Sequence, residues 1–421
     1  MRIEDLSNYG LPSNVIDVIH DSGISNLYPP QKEAVLKGLL ELKRSFIINV
    51  PTASGKTLIA EILMIKALIK MKGKCLYVVP LRALAREKFE DFKKYESLGF
   101  RVAISTGDLD SKEGWLENFD LIVATSEKAN SLLRHKAGWL SEINVLAVDE
   151  IHLINDSRRG PTLEIVITKL LHINPKLLIL GLSATINNAA EIASWLNAKL
   201  ISMDWRPVEL REGVFYDDSI FFSDSKLQEV ERTCKSQIIN LVLETIKDGD
   251  QGLIFVNTRR SAERVSLDSS KETTKFLTKT ESNKLKRLSK LVKGSLEESN
   301  KISIRLSKAL EGGAAFHHAG LSSKQRKIIE DGFKDNLIKV IAATPTLAAG
   351  VNLPARRVVI RDYTRYDVNL GRIKIPVLEY KQQAGRAGRP KYDEYGEAIL
   401  IARTADERSL LLDNYILGVP E

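Results

Sequence analysis

Two groups of side chains in this 421-residue sequence have the types and spacing to handle phosphate and a divalent cation. The first is Gly55-Lys56-Thr57, which closes a loop of small residues, Val50-Pro51-Thr52-Ala53-Ser54. Backbone N–H groups of such a loop, and of a helix starting at its end, offer positive ends to phosphate oxygens. Lys56 can reach β- and γ-phosphates, and the Thr57 hydroxyl can hold Mg2+. Val50 occupies the place where the phosphate-loop pattern G-x-x-x-x-G-K-[ST] has its first Gly. The second group is Asp149-Glu150, two carboxylates after an apolar run. Asp149 could hold the cation, and Glu150 could polarise an attacking water as general base. A third candidate stands upstream: Gln31, whose amide can donate and accept at the N6 and N7 edge of adenine.

The elements around these residues have to present them. Phe46–Asn49 reads as a buried parallel strand, and Leu58 to Lys72 as the helix after the loop. Further apolar runs at Cys75–Val79, Val102–Ser105, Leu121–Ala124, Val145–Val148 and Leu177–Leu182 alternate with helical patterns. That alternation predicts a doubly wound parallel α/β sheet, with ligand groups on the loops after the strands' carboxyl ends. Residues 1 to 45 read as short helices, the last running from Gln31 to Leu42. A second α/β series follows Trp205-Arg206-Pro207. It reads as a helix over about 226–247, then strands at Leu253–Val256, Val340–Ala343, Val358–Ile360 and Ala398–Ile401, with a helix near 324–333. The boundary is expected near 200–208, giving domains 1–203 and 204–421. Residues 266–312 read as an amphipathic helical insertion. Leu285, Leu288, Val292 and Leu296 form its apolar face, and Lys284, Lys286, Lys290 and Lys293 lie mostly elsewhere. Those lysines are a solvated face or, on the functional reading, a surface touching nucleic acid.

Composition narrows the partners. A net charge of +8 favours an anionic partner, with nucleic acid in the lead. Aromatic residues are only 6%, which fits backbone-directed binding better than an extended base-stacking platform. Two cysteines, Cys75 and Cys234, give no metal framework and read as buried thiols of a reducing compartment. The N-terminus lacks an apolar signal region and no run approaches a membrane span, so a soluble cytoplasmic protein is expected.

The motifs, taken in order, resemble those of superfamily-two helicases. They are Gln31, V-P-T-A-S-G-K-T at 50–57, P-L-R-A-L-A at 80–85, A-T-S-E-K at 124–128, D-E-I-H at 149–152 and L-S-A-T at 182–185. L-I-F-V-N-T-R-R at 253–260, A-A-T-P-T-L-A-A-G-V-N-L-P at 342–354 and Q-Q-A-G-R-A-G-R at 382–389 complete the set. Through D-E-I-H-L-I-N-D-S-R-R-G-P-T-L-E and H-H-A-G-L the chain is most similar to the archaeal Hjm-type repair helicases. That family often lacks the first loop Gly, so Val50 is unremarkable in it.

The resemblance implies two tandem RecA-like P-loop NTPase domains forming an ATP- and Mg2+-dependent DNA helicase that moves 3′ to 5′ on stalled or branched forks. It implies that His152, Ser183 and Thr185 couple the ATP site to domain movement, and that Gly350 and Asn352 approach the nucleotide. Gln382, Arg386 and Arg389 would position and neutralise the γ-phosphate, and Arg82, Thr125, Thr258, Thr344 and Thr346 would contact DNA. Tyr363–Lys374 would be a strand-separating hairpin with Tyr366 as wedge, against the plainer reading of a connecting hairpin. Single-stranded and forked DNA are the implied partners, a replication clamp or a junction resolvase further candidates, and a monomer the expected state. An exosome-assisting RNA helicase, or a nucleotide-gated clamp without unwinding, are the alternatives. Family members continue into winged-helix and ratchet domains; the sequence stops at Glu421, so a motor core without them is expected.

Overall fold

The computed structural model describes residues 1–107, 113–294, 301–345, 347, 353–367, 371–390, 392–418 and 420. The chain divides into two compact units, Met1–Pro207 and Val208–Glu421, four residues past the expected 203/204 division.

Unit 1 is built on seven strands: β1 (Phe46–Asn49), β2 (Lys74–Val79), β3 (Val102–Ser105), β4 (Leu121–Thr125), β5 (Ile143–Val148), β6 (Leu178–Ser183) and β7 (Lys199–Ser202). Their order is β3-β4-β2-β5-β6-β1-β7, and every neighbouring pair is parallel. Parallel strands need crossovers that cover both faces of the sheet, which is why β1 to β6 are mainly apolar and buried, whereas edge strand β7 exposes Lys199 and Ser202. The helix Lys56–Lys70 crosses behind the sheet with Leu58 through Ala67 all buried. Two of those buried residues are charged, and both are satisfied. Glu61 accepts from the Tyr95 hydroxyl at 2.7 Å and pairs with Lys94 at 2.6 Å. Lys66 donates to the carbonyls of Tyr9 and Gly10, at 2.8 and 2.5 Å. The expected Gln31–Leu42 helix is shorter: it spans Pro29–Leu36 and yields to a 3-10 turn at Leu39–Glu41, after Gly38 at φ +91°.

Unit 2 carries an eight-stranded sheet made of β8 (Glu209–Tyr216), β9 (Ser219–Phe222), β10 (Leu227–Glu229), β11 (Gly252–Phe255), β12 (Ala314–His317), β13 (Val340–Ala343), β14 (Arg357–Ile360) and β17 (Tyr395–Ile401). Its order is β10-β9-β8-β17-β14-β11-β13-β12. A separate hairpin pairs β15 (Thr364–Asp367) with β16 (Gly371–Lys374). The helix expected over 226–247 begins only at Gln237; residues 227–229 form strand β10. The antiparallel β8–β9–β10 meander turns first at Asp217-Asp218, both with positive φ (48° and 56°). That conformation matches the right-handed twist of a two-residue hairpin. Cys234, expected buried, is half-exposed, whereas Cys75 is buried.

The insertion forms helices over Arg259–Thr273, Lys279–Lys293 and Lys301–Glu311. Leu285 and Val292 are buried, Leu288 is partly buried, and Lys284, Lys286, Lys290 and Lys293 are exposed. Leu296 lies outside the described residues.

One buried ion cluster locks β14 to its neighbours. Arg357, 4% exposed, donates from Nε to Glu397 Oε2 at 2.6 Å. Its Nη1 donates to Glu244 Oε2 at 2.8 Å and to the Leu241 carbonyl at 2.6 Å. Arg357→Ala strands Glu397 without its cation and should destabilise unit 2 by about 3–5 kcal/mol. The measurement is guanidinium unfolding followed by amide hydrogen exchange of the unit 2 strands, because all four Trp lie in unit 1. A loss below ~1 kcal/mol would show the cluster to be dispensable.

Candidate nucleotide and nucleic-acid sites

The sheet order β5-β6-β1 sets three motif loops side by side at one edge of unit 1. The phosphate loop leaves β1, Ser183–Thr185 leave β6, and Asp149-Glu150 leave β5.

Val50 is fully buried, does not adopt a positive φ, and donates its N–H to the Ser183 carbonyl at 3.3 Å. It therefore extends β1 into the core, and this loop does not use a glycine there. Left-handed conformations fall instead at Ala53 (φ 68°) and Gly55 (φ 75°). A Cβ on Gly55 would meet Gln31 Nε2 at 2.3 Å, so Gly55 is required by both conformation and space. Lys56 Nζ donates to the loop's own carbonyls, at 2.9 Å to Val50 and 3.3 Å to Pro51. Thr57 follows on the first turn of the helix. Pro51, Thr52 and Ala53 line the half-exposed rim. Ser54 points the other way: fully buried, it donates to the Trp205 carbonyl at 2.7 Å.

Gln31 is 3% exposed and uses both ends of its amide on the backbone. Its Oε1 accepts from the Tyr28 N–H at 2.7 Å, and its Nε2 donates to the Gly55 carbonyl at 2.9 Å. One N–H and one lone pair of the amide remain for another partner. Tyr28 packs against Trp205 with ring centroids 4.8 Å apart.

Asp149 accepts two hydrogen bonds, from Tyr77 Oη to Oδ2 at 2.9 Å and from the Glu150 N–H to Oδ1 at 3.0 Å. Burial and the neighbouring Glu150 raise its pKa above the usual carboxylate value. Glu150 adopts φ 53°, and its Oε2 lies 3.3 Å from His152 Nε2. His152 Nδ1 is 3.2 Å from Ser183 Oγ, which can donate to the Ala184 carbonyl at 2.7 Å. Burial, reinforced by Lys56, holds the His152 pKa down to about 3. A neutral imidazole has one N–H, so it donates toward Glu150 or toward Ser183 but not both. Thr185 lies two residues beyond Ser183, half-exposed.

Among the described residues no cluster of three or more His, Cys, Asp or Glu could cage a metal ion. The donor set that is present, one fixed carboxylate at Asp149 and one hydroxyl at Thr57, suits Mg2+, which keeps waters and takes phosphate oxygens.

The pattern of the DEAD/DEAH box helicase family matches residues 28–192, and that of the helicase conserved C-terminal domain matches 295–391. Over its full length the chain is 50% identical to the ATP-dependent DNA helicase Hel308 of Pyrococcus horikoshii, covering 56% of that protein. It is 48% identical to the Hel308 of Methanocella arvoryzae and 44% to that of Caldivirga maquilingensis, covering 56% and 55% of them. The chain is similar over its full length to the Hel308 helicases. It spans little more than half the length of these relatives.

Within the second unit lie the expected γ-phosphate residues. Arg389 is held inside the unit. Its Nε donates to Asp393 Oδ2 at 3.0 Å, its Nη2 to Asp393 Oδ1 at 2.7 Å and also to Asp250, and its Nη1 to Gln251 Oε1 at 3.3 Å. Arg386 is half-buried, with its carbonyl accepting from the Ala355 N–H at 2.9 Å; Gln382 is half-buried on the helix Val377–Ala384. Gly350, Asn352 and Thr346 lie outside the described residues, as do residues 368–370 of the hairpin. Tyr366 on β15 is 79% exposed.

Four of the five expected DNA-contacting residues are described. Arg82 and Thr258 are exposed, after β2 and β11. Thr125 and Thr344 are buried, at the end of β4 and just after β13. The Thr125 hydroxyl accepts from the Lys128 N–H at 3.3 Å, and Thr258 likewise caps its helix. Their side chains thus serve the fold as well.

Sequence reasoning passed over Tyr77 and Trp205. A tyrosine inside a run buried on both faces must place its hydroxyl on a polar partner, and that is the signal it gave.

His152 yields a pH test. The unfolded imidazole protonates near 6.5 and the folded one near about 3, so the unfolded chain binds more protons between those values. Stability should therefore fall as pH drops through that window, by at most ~1.4 kcal/mol per pH unit from this group. Thermal melting of His152→Gln between pH 7.5 and 4.5 should show a shallower decline than the unmodified chain. Equal declines would place the effect elsewhere.

Proposed function

We propose that this chain is the ATP-hydrolysing motor of a DNA helicase, moving 3′ to 5′ along single-stranded DNA and acting at forked or branched substrates. The observation that carries the reading is the juxtaposition of phosphate loop, acid pair and His152–Ser183 relay on three adjacent strands, in a chain similar throughout to Hel308.

In this reading Gln31 reads adenine with its remaining donor and acceptor, while Gly55, Lys56 and the loop amides bind the phosphates. Thr57 and Asp149 would hold Mg2+. The cation would neutralise phosphate charge. Glu150 takes the proton of the attacking water, and His152 reports the state of Glu150 to Ser183 and Thr185 by changing which neighbour receives its N–H. Lys56 must leave its loop carbonyls to meet phosphate oxygens. Arg386 and Arg389 supply planar cations to the γ-phosphate, Arg389 after exchanging its aspartates for phosphate; Gln382, Gly350 and Asn352 complete that side. Arg82, Thr125, Thr258, Thr344 and Thr346 contact DNA phosphates, partly through backbone N–H groups, so binding is sequence-independent and weakens with salt. Tyr366, projecting from the hairpin, is the wedge.

The test is ATPase rate with single-stranded DNA and with RNA, followed by displacement from forks with a 3′ or 5′ tail. Single-stranded DNA should raise the rate, and Glu150→Gln should lower it by ~10^2- to 10^4-fold. Lys56→Ala should abolish stimulation. Stimulation by RNA alone would overturn the DNA assignment, and hydrolysis without displacement would leave a nucleotide-gated clamp.

A further inference from the structure

We infer that Tyr77 is a positioning residue for the nucleotide site, aiming the Asp149 carboxylate at the divalent cation; this rests on the reading of Asp149 as the cation ligand.

Tyr77 is completely buried, and its hydroxyl donates to Asp149 Oδ2 at 2.9 Å. The other carboxylate oxygen, Oδ1, accepts from the Glu150 N–H at 3.0 Å. Each oxygen therefore has one donor and keeps lone-pair capacity on the side away from it. Two donors on two oxygens fix the carboxylate plane. One donor would leave it free to turn about its last bond.

The tyrosine is itself immobile. It lies on β2 opposite Ala147 of β5, two residues before Asp149, and the Asp149 N–H donates to the Val78 carbonyl at 2.8 Å. Both backbones are thus tied across one pair of strands. The ring packs edge-on against buried Phe92, with centroids 5.1 Å apart and planes at 73°. Phenylalanine would fill the same space with no hydroxyl to satisfy, so packing alone does not call for tyrosine here. Partners that orient a metal ligand in this way commonly govern affinity by 10- to 100-fold.

The experiment uses the full chain and Tyr77→Phe. Mn2+ binding in the presence of ADP is titrated by electron paramagnetic resonance, with ADP affinity in EDTA and the melting temperature measured alongside. Tyr77→Phe should weaken Mn2+ about 10-fold and leave ADP affinity in EDTA unchanged. Phe92→Leu, which loosens the ring's packing and keeps the hydroxyl, should lower the melting temperature without moving Mn2+ affinity. Mn2+ affinity of Tyr77→Phe within twofold of the unmodified chain overturns the inference, as does an equal loss in both variants. The titration reads Tyr77 directly, whereas failure of the unmodified chain to hydrolyse ATP would sink the proposed function and leave that reading standing.

Discussion

Three parallel strands in continuous register, β5, β6 and β1, are the constraint on which the first unit's chemistry depends. Adjacent strands lie about 4.8 Å apart, so loops leaving the outer two are held roughly 10 Å from each other. Because helices cover both faces of the sheet, polar groups gather where the strands stop. Val148, Ser183 and Asn49 end these strands; Asp149 follows the first directly, Ser183 is itself a site residue, and Gly55-Lys56-Thr57 lie at the end of the loop that follows Asn49. A one-residue slip of β5 that carried Asp149 into the sheet would bring Glu150 to the edge in its place and turn every side chain of the strand to the opposite face.

Polar groups near that edge are largely spoken for by the protein itself. Gln31 spans from the Tyr28 N–H to the Gly55 carbonyl, and Lys56 is folded back on its own loop. Arg389 shows the same economy in the second unit, gripped by Asp393, Asp250 and Gln251. Two carboxylates and an amide oxygen satisfy this guanidinium with charge-assisted hydrogen bonds inside the unit.

Much of the arrangement was legible in the sequence because parallel strands announce themselves as unbroken apolar runs. Phe46–Asn49, Cys75–Val79 and Val145–Val148 are of this kind, and the residues that follow each run carry the motifs. The β8–β10 meander was not legible, because antiparallel edge strands expose one face. Leu227-Gln228-Glu229 merges by eye into the helical pattern that starts at Gln237. Its turn signal, Asp217-Asp218, lacks the glycine that usually marks such turns. The partners of Arg389 were hidden for another reason: Asp250 and Gln251 lie 139 and 138 residues away, and spacing carries no information over that distance. Tyr77 was hidden by its surroundings, a polar atom inside an apolar run.

The hydrogen bond from Ser54 to the Trp205 carbonyl joins the phosphate loop to the last residues of the first unit. Trp205 is clasped from the other side by Tyr28, whose N–H is held by Gln31, which in turn holds Gly55. The four contacts close a ring running from loop to connector and back through the helix start. Such a ring ties the loop to residue 205 through side chains as well as along the backbone. A loop that moved Ser54 out of hydrogen-bond reach would leave both its hydroxyl and the Trp205 carbonyl to find other partners, two positions before the first unit ends. The shape of the loop and the last residues of the unit thus share one contact, made by a serine hydroxyl that is fully buried.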